Sequence, residues 1–175
     1  MMAGNRDFAL DAKTLAAYDV SSLPDPIRLP GGILLTHGDL LCTEDTGYLR
    51  FRRMIRNPLL LHLLRALPYQ TLLWIGRRLR QSSREEIQRK SPSITQATAK
   101  GIAMAIRGEG VFASPDAPYG TLIHGHTHQP IDENLPALRA HRFVLSDWQA
   151  AGATLLRCSP KGICALWRYP PQGTS

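Results

Sequence analysis

Two short apolar segments of this chain each run directly into a polar cluster that contains histidine. Ile33 to Thr36 is followed at once by His37-Gly38-Asp39, and Thr121 to Ile123 leads into His124 to Pro130. Both segments have the length and the Ile, Leu and Thr content of β-strands. In open α/β sheets, ligands bind at the carboxyl ends of the strands. The pattern therefore predicts that these histidines lie at a ligand-binding edge of a sheet.

The remaining segments predict an α/β layered fold in one domain. Strands are expected at Ile27 to Leu29, Arg142 to Leu145, Ala153 to Arg157 and Ile163 to Tyr169, and helices at the end of residues 1–20, within residues 46–90 and over Thr95 to Arg107. Strands with intervening helices indicate layers packed around one core. A length of 175 residues is enough for such a core.

The positive charge of the chain is concentrated in one segment. The net charge is +7, yet residues 46–90 contain 11 basic and 2 acidic residues, a net charge of +9. The same segment is rich in leucine, with Trp74 and Ile75 close to its arginines. We consider two interpretations, which need not exclude each other: a helical hairpin packed on the core, or a basic, apolar lid that meets anionic lipid or an acyl chain. Nucleic-acid binding is disfavoured because the segment offers few aromatic side chains for base stacking.

The segment Gly125-His126-Thr127-His128 is a candidate metal site. In an extended segment, residues i and i+2 point to the same side, so His126 and His128 would converge. Imidazole nitrogen is a ligand for zinc, copper, iron and nickel. His62 and His141 stand alone in the sequence and are interpreted as structural.

Three motifs together carry a family resemblance. They are Gly4-Asn5-Arg6-Asp7, then His37-Gly38-Asp39-Leu40-Leu41-Cys42-Thr43-Glu44-Asp45, then His124 to Pro130. In this order and spacing they resemble the calcineurin-like metallophosphoesterases. Within that superfamily, the match is closer to the branch that hydrolyses UDP-2,3-diacylglucosamine in lipid A biosynthesis. The resemblance implies that residues 1–175 form a partial metallophosphoesterase domain, with residues 46–90 as a helical insert, or lid.

The resemblance also implies a set of site residues. Two divalent ions, typically Mn²⁺, would lie in the cleft, with Asn5, His37 and His126 as ligands of one ion and His128 as a ligand of the other. Arg6 would face the phosphate, and Arg6 and His126 match catalytic positions. Asn5, Arg6, Asp45, Ser83, Lys90 and His126 match positions that contact substrate. An asparagine expected four residues after Ser83 is Ile87 here. Asp7 and Asp39 are interpreted either as partners of the ligands or as structural.

The implied reaction is attack of an activated hydroxide on the phosphorus nearest the uridine. The products would be UMP and 2,3-diacylglucosamine 1-phosphate. The implied substrate is a UDP-linked diacylated glucosamine, and the implied location is the cytoplasmic face of the bacterial inner membrane, with the enzyme as a peripheral protein. The arginines of the insert would be attracted to anionic lipid headgroups.

Two motifs of the family are not found in the chain. The first is Asp-x-His, and no Asp in the chain is followed two residues later by His. The second contains a Gly-Asp pair, but the Gly38-Asp39 pair of this chain already lies within the His-Gly-Asp motif. The resemblance therefore implies that the chain lacks the first βαβ portion of the fold, including the aspartate that bridges both ions. We expect this chain to be impaired in activity and stability. The alternative, from another class, is a non-catalytic remnant that binds a membrane or anionic lipid through residues 46–90.

The cysteines and the N-terminus indicate the compartment. Cys42, Cys158 and Cys164 are odd in number and form no Cys-x-x-Cys motif, which favours a reducing cytoplasm over a disulfide framework. Residues 1–7 contain no apolar stretch of the kind found in export signals. No apolar run reaches the roughly 18 residues typical of a membrane-spanning helix.

Overall fold

The computed structural model describes residues 1–2, 4, 12–68, 70–78, 81, 96–150, 152–159 and 164–169. The helices are α1 (Ala12–Ala16), α2 (Thr46–Ile55), α3 (Pro58–Arg65) and α4 (Ala99–Arg107), and residues 70–78 are also helical. The strands are β1 (Ile27–Leu29), β2 (Ile33–Thr36), β3 (Thr121–His124), β4 (Ile131–Leu135), β5 (Ala140–Val144), β6 (Ala153–Cys158) and β7 (Cys164–Tyr169). The chain is thus a mixed α/β protein, as the sequence predicted.

A five-stranded sheet forms the centre, in the order β1-β2-β3-β5-β4. Its three inner strands are parallel, and its two edge strands each pair antiparallel with their neighbour. The register places Thr36 of β2 beside His124 of β3, and His124 beside Val144 of β5. Because the inner strands are parallel, their carboxyl ends meet at one edge, where the polar clusters begin.

Each face of the sheet carries its own apolar cluster. One cluster comprises Leu34, Leu41, Ile102, Ala105, Ile106, Phe112, Tyr119, Leu122 and Ala140. The other contains Ile33, Ile123 and Phe143, with Leu156 and Leu166 from the β6–β7 hairpin packed against it. Neighbouring residues on a strand point to opposite faces, so β2 and β3 contribute to both clusters. Burial on both faces explains their continuous apolar sequence.

Helix α4 lies against the segment that follows β2. The Thr98 side chain accepts a hydrogen bond from the Gly101 amide at the helix start, and Gly108 ends the helix at a φ of 70°. A Cβ atom at Gly101 would lie 2.2 Å from the Leu41 carbonyl oxygen. Gly101 therefore permits α4 to approach closely the segment around Leu41, which follows β2. The helix was predicted to begin at Thr95, which lies outside the described residues, but residues 96–98 are not helical and α4 begins at Ala99.

The basic insert is helical where it is described. Asp45 caps α2 by accepting from the Tyr48 amide, and Asn57 caps α3 just before Pro58. Among the described side chains of residues 59–78, none belongs to the two core clusters. Leu59 is 68% exposed and Trp74 is 59% exposed. The insert therefore presents exposed apolar side chains at Leu59 and Trp74. Of the helices that the structure describes, none has the length and apolarity needed to span a membrane.

The hairpin of β6 and β7 corrects the expectation for the cysteines. Cys158 and Cys164 form a disulfide across the pair of strands. The sequence argument relied on an odd cysteine count, whereas the antiparallel register places these two residues directly opposite each other. Strand β4 was not predicted, because its alternating sequence Ile131 to Leu135 carries three polar residues and forms an edge strand. The other predicted strands are confirmed, with ends shifted by up to two residues.

Candidate functional site

The loops after β2 and β3 meet at the carboxyl edge of the sheet. The Gly125 amide donates to the His37 carbonyl at 3.0 Å, which joins the two loops directly. Gly38 has a φ of 113°, and a Cβ atom there would lie 2.9 Å from Nδ1 of His124 and 3.1 Å from the Cβ of His126. Only glycine satisfies both the backbone angle and the close contact. Gly38 thus permits the close approach of the two loops, and the Gly125 backbone amide joins them.

His37 and His126 are brought together at this edge. Nε2 of His37 lies 3.3 Å from Nδ1 of His126, and the rings meet edge to face with centroids 5.1 Å apart. Burial lowers the pKa of His37 and the pKa of His126, and for His126 the neighbouring His37 lowers it further. Both imidazoles are therefore neutral at pH 7, which is the form that ligates metal ions.

His126 and His128 do not lie in an extended segment. His126 has a φ of 69° and His128 a φ of 57°, so both residues lie in the left-handed region. The expectation of an extended segment was wrong, because the side-chain alternation of a strand is lost at this backbone geometry. His128 is 59% exposed, and its Nδ1 lies 3.3 Å from a carboxylate oxygen of Asp147, which follows β5. Non-glycine residues in this region concentrate at functional sites.

A buried ionic network lies beneath the His37 loop. The Asp39 side chain is fully buried, and its Oδ2 accepts from the Tyr48 hydroxyl at 2.6 Å and from Nε of Arg52 at 2.7 Å. Another Arg52 nitrogen donates to Asp25 at 2.7 Å. Burial alone would raise the pKa of Asp39, yet the Tyr48 hydrogen bond and the Arg52 charge hold this pKa below its ordinary value. The network keeps Asp39 ionised.

Sequence reasoning missed Asp25, Tyr48 and Arg52. Asp25 lies in none of the three motifs, and Arg52 counted only as one charge of the basic segment. The spacing of Tyr48 and Arg52, four residues apart on a predicted helix, places them on one face and was the available signal. Asp39 is held by this network, which fits the interpretation that it supports the neighbouring ligand candidate.

His124 supports the site from inside the sheet. It is fully buried, its Nδ1 lies 2.9 Å from the Gly125 carbonyl, and its Nε2 lies 3.0 Å from Nε of Arg142. Since Arg142 can only donate, Nε2 accepts and Nδ1 carries the proton. Burial lowers the pKa of His124 to about 4. Both ring nitrogens of His124 are thus engaged within the protein, which gives this histidine a structural role at the strand end.

The other predicted site residues fall into two groups. Asp45 is buried at the start of α2, where its side chain accepts from the Tyr48 amide at 3.0 Å. Asn5, Arg6, Asp7, Ser83 and Lys90 lie outside the described residues, so their roles remain predictions. The two histidines interpreted as structural lie elsewhere: His62 is exposed on α3, and His141 pairs with Asp132 at the amino end of β5.

The donor set at this edge fits a metal ion in part. Within the described ranges, no group of three or more His, Cys, Asp or Glu side chains is placed to hold an ion. His37 and His126 nevertheless offer two neutral imidazoles at one point. The buried Oδ1 of Asp39 and Oγ1 of Thr127 have no hydrogen-bond partner among the described atoms. Two imidazoles with unsatisfied oxygens nearby are compatible with a polar or ionic ligand.

The fold and the edge together define an α/β protein whose candidate ligand site lies at the carboxyl ends of parallel strands. The chain is homologous to curated proteins named UDP-2,3-diacylglucosamine hydrolase. A relative from Pseudomonas aeruginosa is 41% identical over 160 residues, which cover 89% of this chain and 63% of the relative. Relatives from Pseudomonas putida and Pseudomonas fluorescens are 39% and 38% identical over the same length. The resemblance inferred from the motifs is thereby confirmed.

The chain spans about 63% of the length of the relatives from Pseudomonas aeruginosa and Pseudomonas putida. No family model matches the sequence.

Proposed function

We propose that this chain contains part of the active site of a hydrolase that cleaves the pyrophosphate bond of UDP-2,3-diacylglucosamine, releasing UMP and 2,3-diacylglucosamine 1-phosphate. The observation that carries the proposal is the convergence of His37 and His126, 3.3 Å apart at the ligand-binding edge. Homology to hydrolases of that name supports the choice of substrate. The proposal includes the fold of the calcineurin-like metallophosphoesterases, for which the mixed sheet with its terminal histidines is the supporting feature.

Two divalent ions, most simply Mn²⁺, complete the proposed site. His37, His126 and Asn5 would hold one ion, and His128 would contribute to the other. When bound, two such ions supply an activated water and positive charge that stabilises the phosphorus centre during displacement. The lowered pKa values of His37 and His126 support this assignment, because neutral imidazoles bind the ions without competing protons.

The residues of this chain would orient the substrate around those ions. Arg6 is proposed to bind phosphate oxygens, since the planar guanidinium matches them in two hydrogen bonds. Asp45, Ser83 and Lys90 are proposed to contact the nucleotide or sugar, and His126 to contact the phosphate as well. The capping hydrogen bond from the Tyr48 amide fixes the Asp45 carboxylate at the junction between the His37 loop and the lid.

The basic lid is proposed to contact the acyl chains and the membrane. Leu59, Leu63 and Trp74 are exposed on its helices, and Arg78 lies over the Trp74 ring at 5.4 Å. Arginine beside exposed leucine and tryptophan is typical of helices that lie at a lipid surface. These side chains support a peripheral location at a membrane, and the cytoplasmic face of the inner membrane is proposed from the resemblance.

A hydrolysis assay tests the function. UMP release from UDP-2,3-diacylglucosamine with Mn²⁺ is measured for this chain and for a form extended upstream of Met1. We expect strong turnover by the extended form, its loss in His126→Ala, and retention in the control His62→Ala. Because residues 1–175 contain no Asp-x-His motif and no Gly-Asp pair besides Gly38-Asp39, we expect weak turnover by this chain. Absence of turnover in both forms would contradict the proposed function.

The alternative, a non-catalytic lipid-binding protein, is favoured by the exposed apolar side chains of the lid. Flotation with vesicles containing phosphatidylglycerol, against vesicles of phosphatidylcholine alone, tests lipid binding. Flotation that survives the loss of His126 and His128, together with no hydrolysis by either form, would favour this alternative over the hydrolase.

A further inference from the structure

Arg52 joins two buried carboxylates on either side of the His37 loop. Its Nε donates to Asp39 at 2.7 Å, and a terminal nitrogen donates to Asp25 at 2.7 Å. The Asp25 and Asp39 side chains are 3% and 0% exposed, and Arg52 itself is 13% exposed. Arg56 lies further away, 3.7 Å from Asp25. One guanidinium therefore provides the close charge partner of both acids.

Asp25 also contacts the candidate ligand His37 directly. Its Oδ1 accepts from the backbone amide of His37 at 3.0 Å and from the Thr36 hydroxyl at 2.6 Å. Its Oδ2 is the atom that receives Arg52. The position of the His37 backbone is thus fixed by a carboxylate that Arg52 holds from the other side.

Helix α2 also contacts the second candidate ligand. Tyr48 lies one turn before Arg52 on the same helix face, and its hydroxyl shares Oδ2 of Asp39 with Arg52. The Tyr48 ring stacks on His126, with centroids 6.5 Å apart and an interplanar angle of 29°. One face of the first lid helix therefore contacts both histidines, one through Asp25 and one through an aromatic ring.

We propose that Arg52 is a positioning residue, which holds the His37 loop against α2 so that His37 and His126 stay at ligand distance from each other. The inference rests on the proposed function in that its ligand is the metal ion of that site. The function of α2 extends accordingly: besides forming part of the lid, it sets the geometry of the histidine pair. Because Asp25 contacts both Arg52 and the His37 amide, displacing α2 would also shift the His37 backbone.

The chemistry of the side chain explains why arginine stands here. Its planar fork offers separate N–H groups in fixed directions, so two carboxylates can be held at once. The lysine ammonium is a compact point charge, so it can hydrogen-bond to one of the two acids but bridges both less easily. Glutamine at position 52 would leave two buried carboxylates without their close cation.

The test compares Arg52→Gln and Arg52→Lys with Arg53→Gln, a matched control that removes the same charge from an exposed neighbour on α2. Mn²⁺ affinity is measured by titration calorimetry, and amide exchange of His37 by NMR. We expect Arg52→Gln to weaken Mn²⁺ binding about tenfold or more, as loss of a group that orients a metal ligand does. Exchange at His37 should accelerate while β3 amides keep their rates. Arg52→Lys should fall between, and Arg53→Gln should match the unsubstituted chain.

The outcomes separate this inference from the proposed function. A folded Arg52→Gln chain with unchanged Mn²⁺ affinity and unchanged His37 exchange would overturn the positioning role. If Arg52→Gln does not fold, Arg52→Lys decides by the same two measurements. Should the unsubstituted chain bind no Mn²⁺, the metal of the proposed function is refuted for this chain, and the positioning role is decided by His37 exchange alone. Ile106→Val lowers stability from the core and should not change Mn²⁺ affinity.

Discussion

Nδ1 of His126 lies 3.3 Å from Nε2 of His37, although 89 residues separate them in the chain. The contact follows from the parallel pairing of β2 with β3, whose register places Thr36 beside His124. Each strand then continues into a glycine-containing turn, and the Gly125 amide bonds to the His37 carbonyl. Two distant histidines thus become neighbours through one strand pair and one hydrogen bond between loops.

Metal addition and removal should change the stability of this chain. A ligand that binds only the folded state raises its stability, by about 2.7 kcal/mol when present at a hundred times its Kd. We expect Mn²⁺ to raise the Tm and a chelator to reverse the rise, as measured by differential scanning calorimetry. His126→Ala should abolish the effect, whereas His62→Ala, on the exposed face of α3, should retain it. An equal rise in Tm for His126→Ala would exclude His126 as a ligand.

Alanine at Gly101 should destabilise the fold strongly. Its Cβ would lie 2.2 Å from the Leu41 carbonyl oxygen, and the obstructing atoms are backbone. Overpacking of this kind costs about 1–3 kcal/mol, and we expect the upper end because backbone must move. Urea unfolding checks the change. The control is Gly120→Ala, where nothing lies within 4 Å of the added atom, and its free energy of unfolding should change little.

The thiol of Cys42 should react slowly and only at high pH. Burial raises its pKa to about 12, and the nearby Asp39 and Asp45 charges act in the same direction. The reactive thiolate is therefore scarce in the folded chain at pH 8, and its fraction grows as the pH approaches 12. In urea the pKa returns to its ordinary value, so alkylation should become fast. Mass spectrometry after iodoacetamide treatment measures both rates, and rapid labelling of the folded chain at pH 8 would contradict the burial.

The disulfide between Cys158 and Cys164 should contribute measurable stability to the hairpin. Because it closes a short loop, the chain-entropy argument gives about 2 kcal/mol. A reductant should therefore lower the urea midpoint of the unsubstituted chain. A chain with both residues changed to serine should have the lower midpoint already and show no further response. If the reductant changes the urea midpoint of neither chain, the two cysteines are not joined in solution.

Much of the local structure could be predicted from sequence. Ile27 to Leu29 and Ile33 to Thr36 were correctly assigned as strands, because β-branched and apolar residues flank a Pro-Gly-Gly turn. The helical character of the insert was predicted from its leucine-rich sequence, and the structure adds the capping residues Asp45 and Asn57. Strand β4 was missed because an edge strand can carry polar side chains, so its sequence lacks the apolar signal of an inner strand.

The sequence by itself determined which residues are candidates for the site, namely the two histidine motifs and the basic insert, and which curated proteins the chain resembles. Only the tertiary structure decided how these residues are arranged. The backbone at His126 and His128 is left-handed, whereas spacing alone suggested an extended segment. The bridge from Arg52 to Asp25 and Asp39 joins residues 13 and 27 positions apart. Such contacts depend on how strands and helices pack, since no local propensity specifies which buried carboxylate a distant arginine will meet.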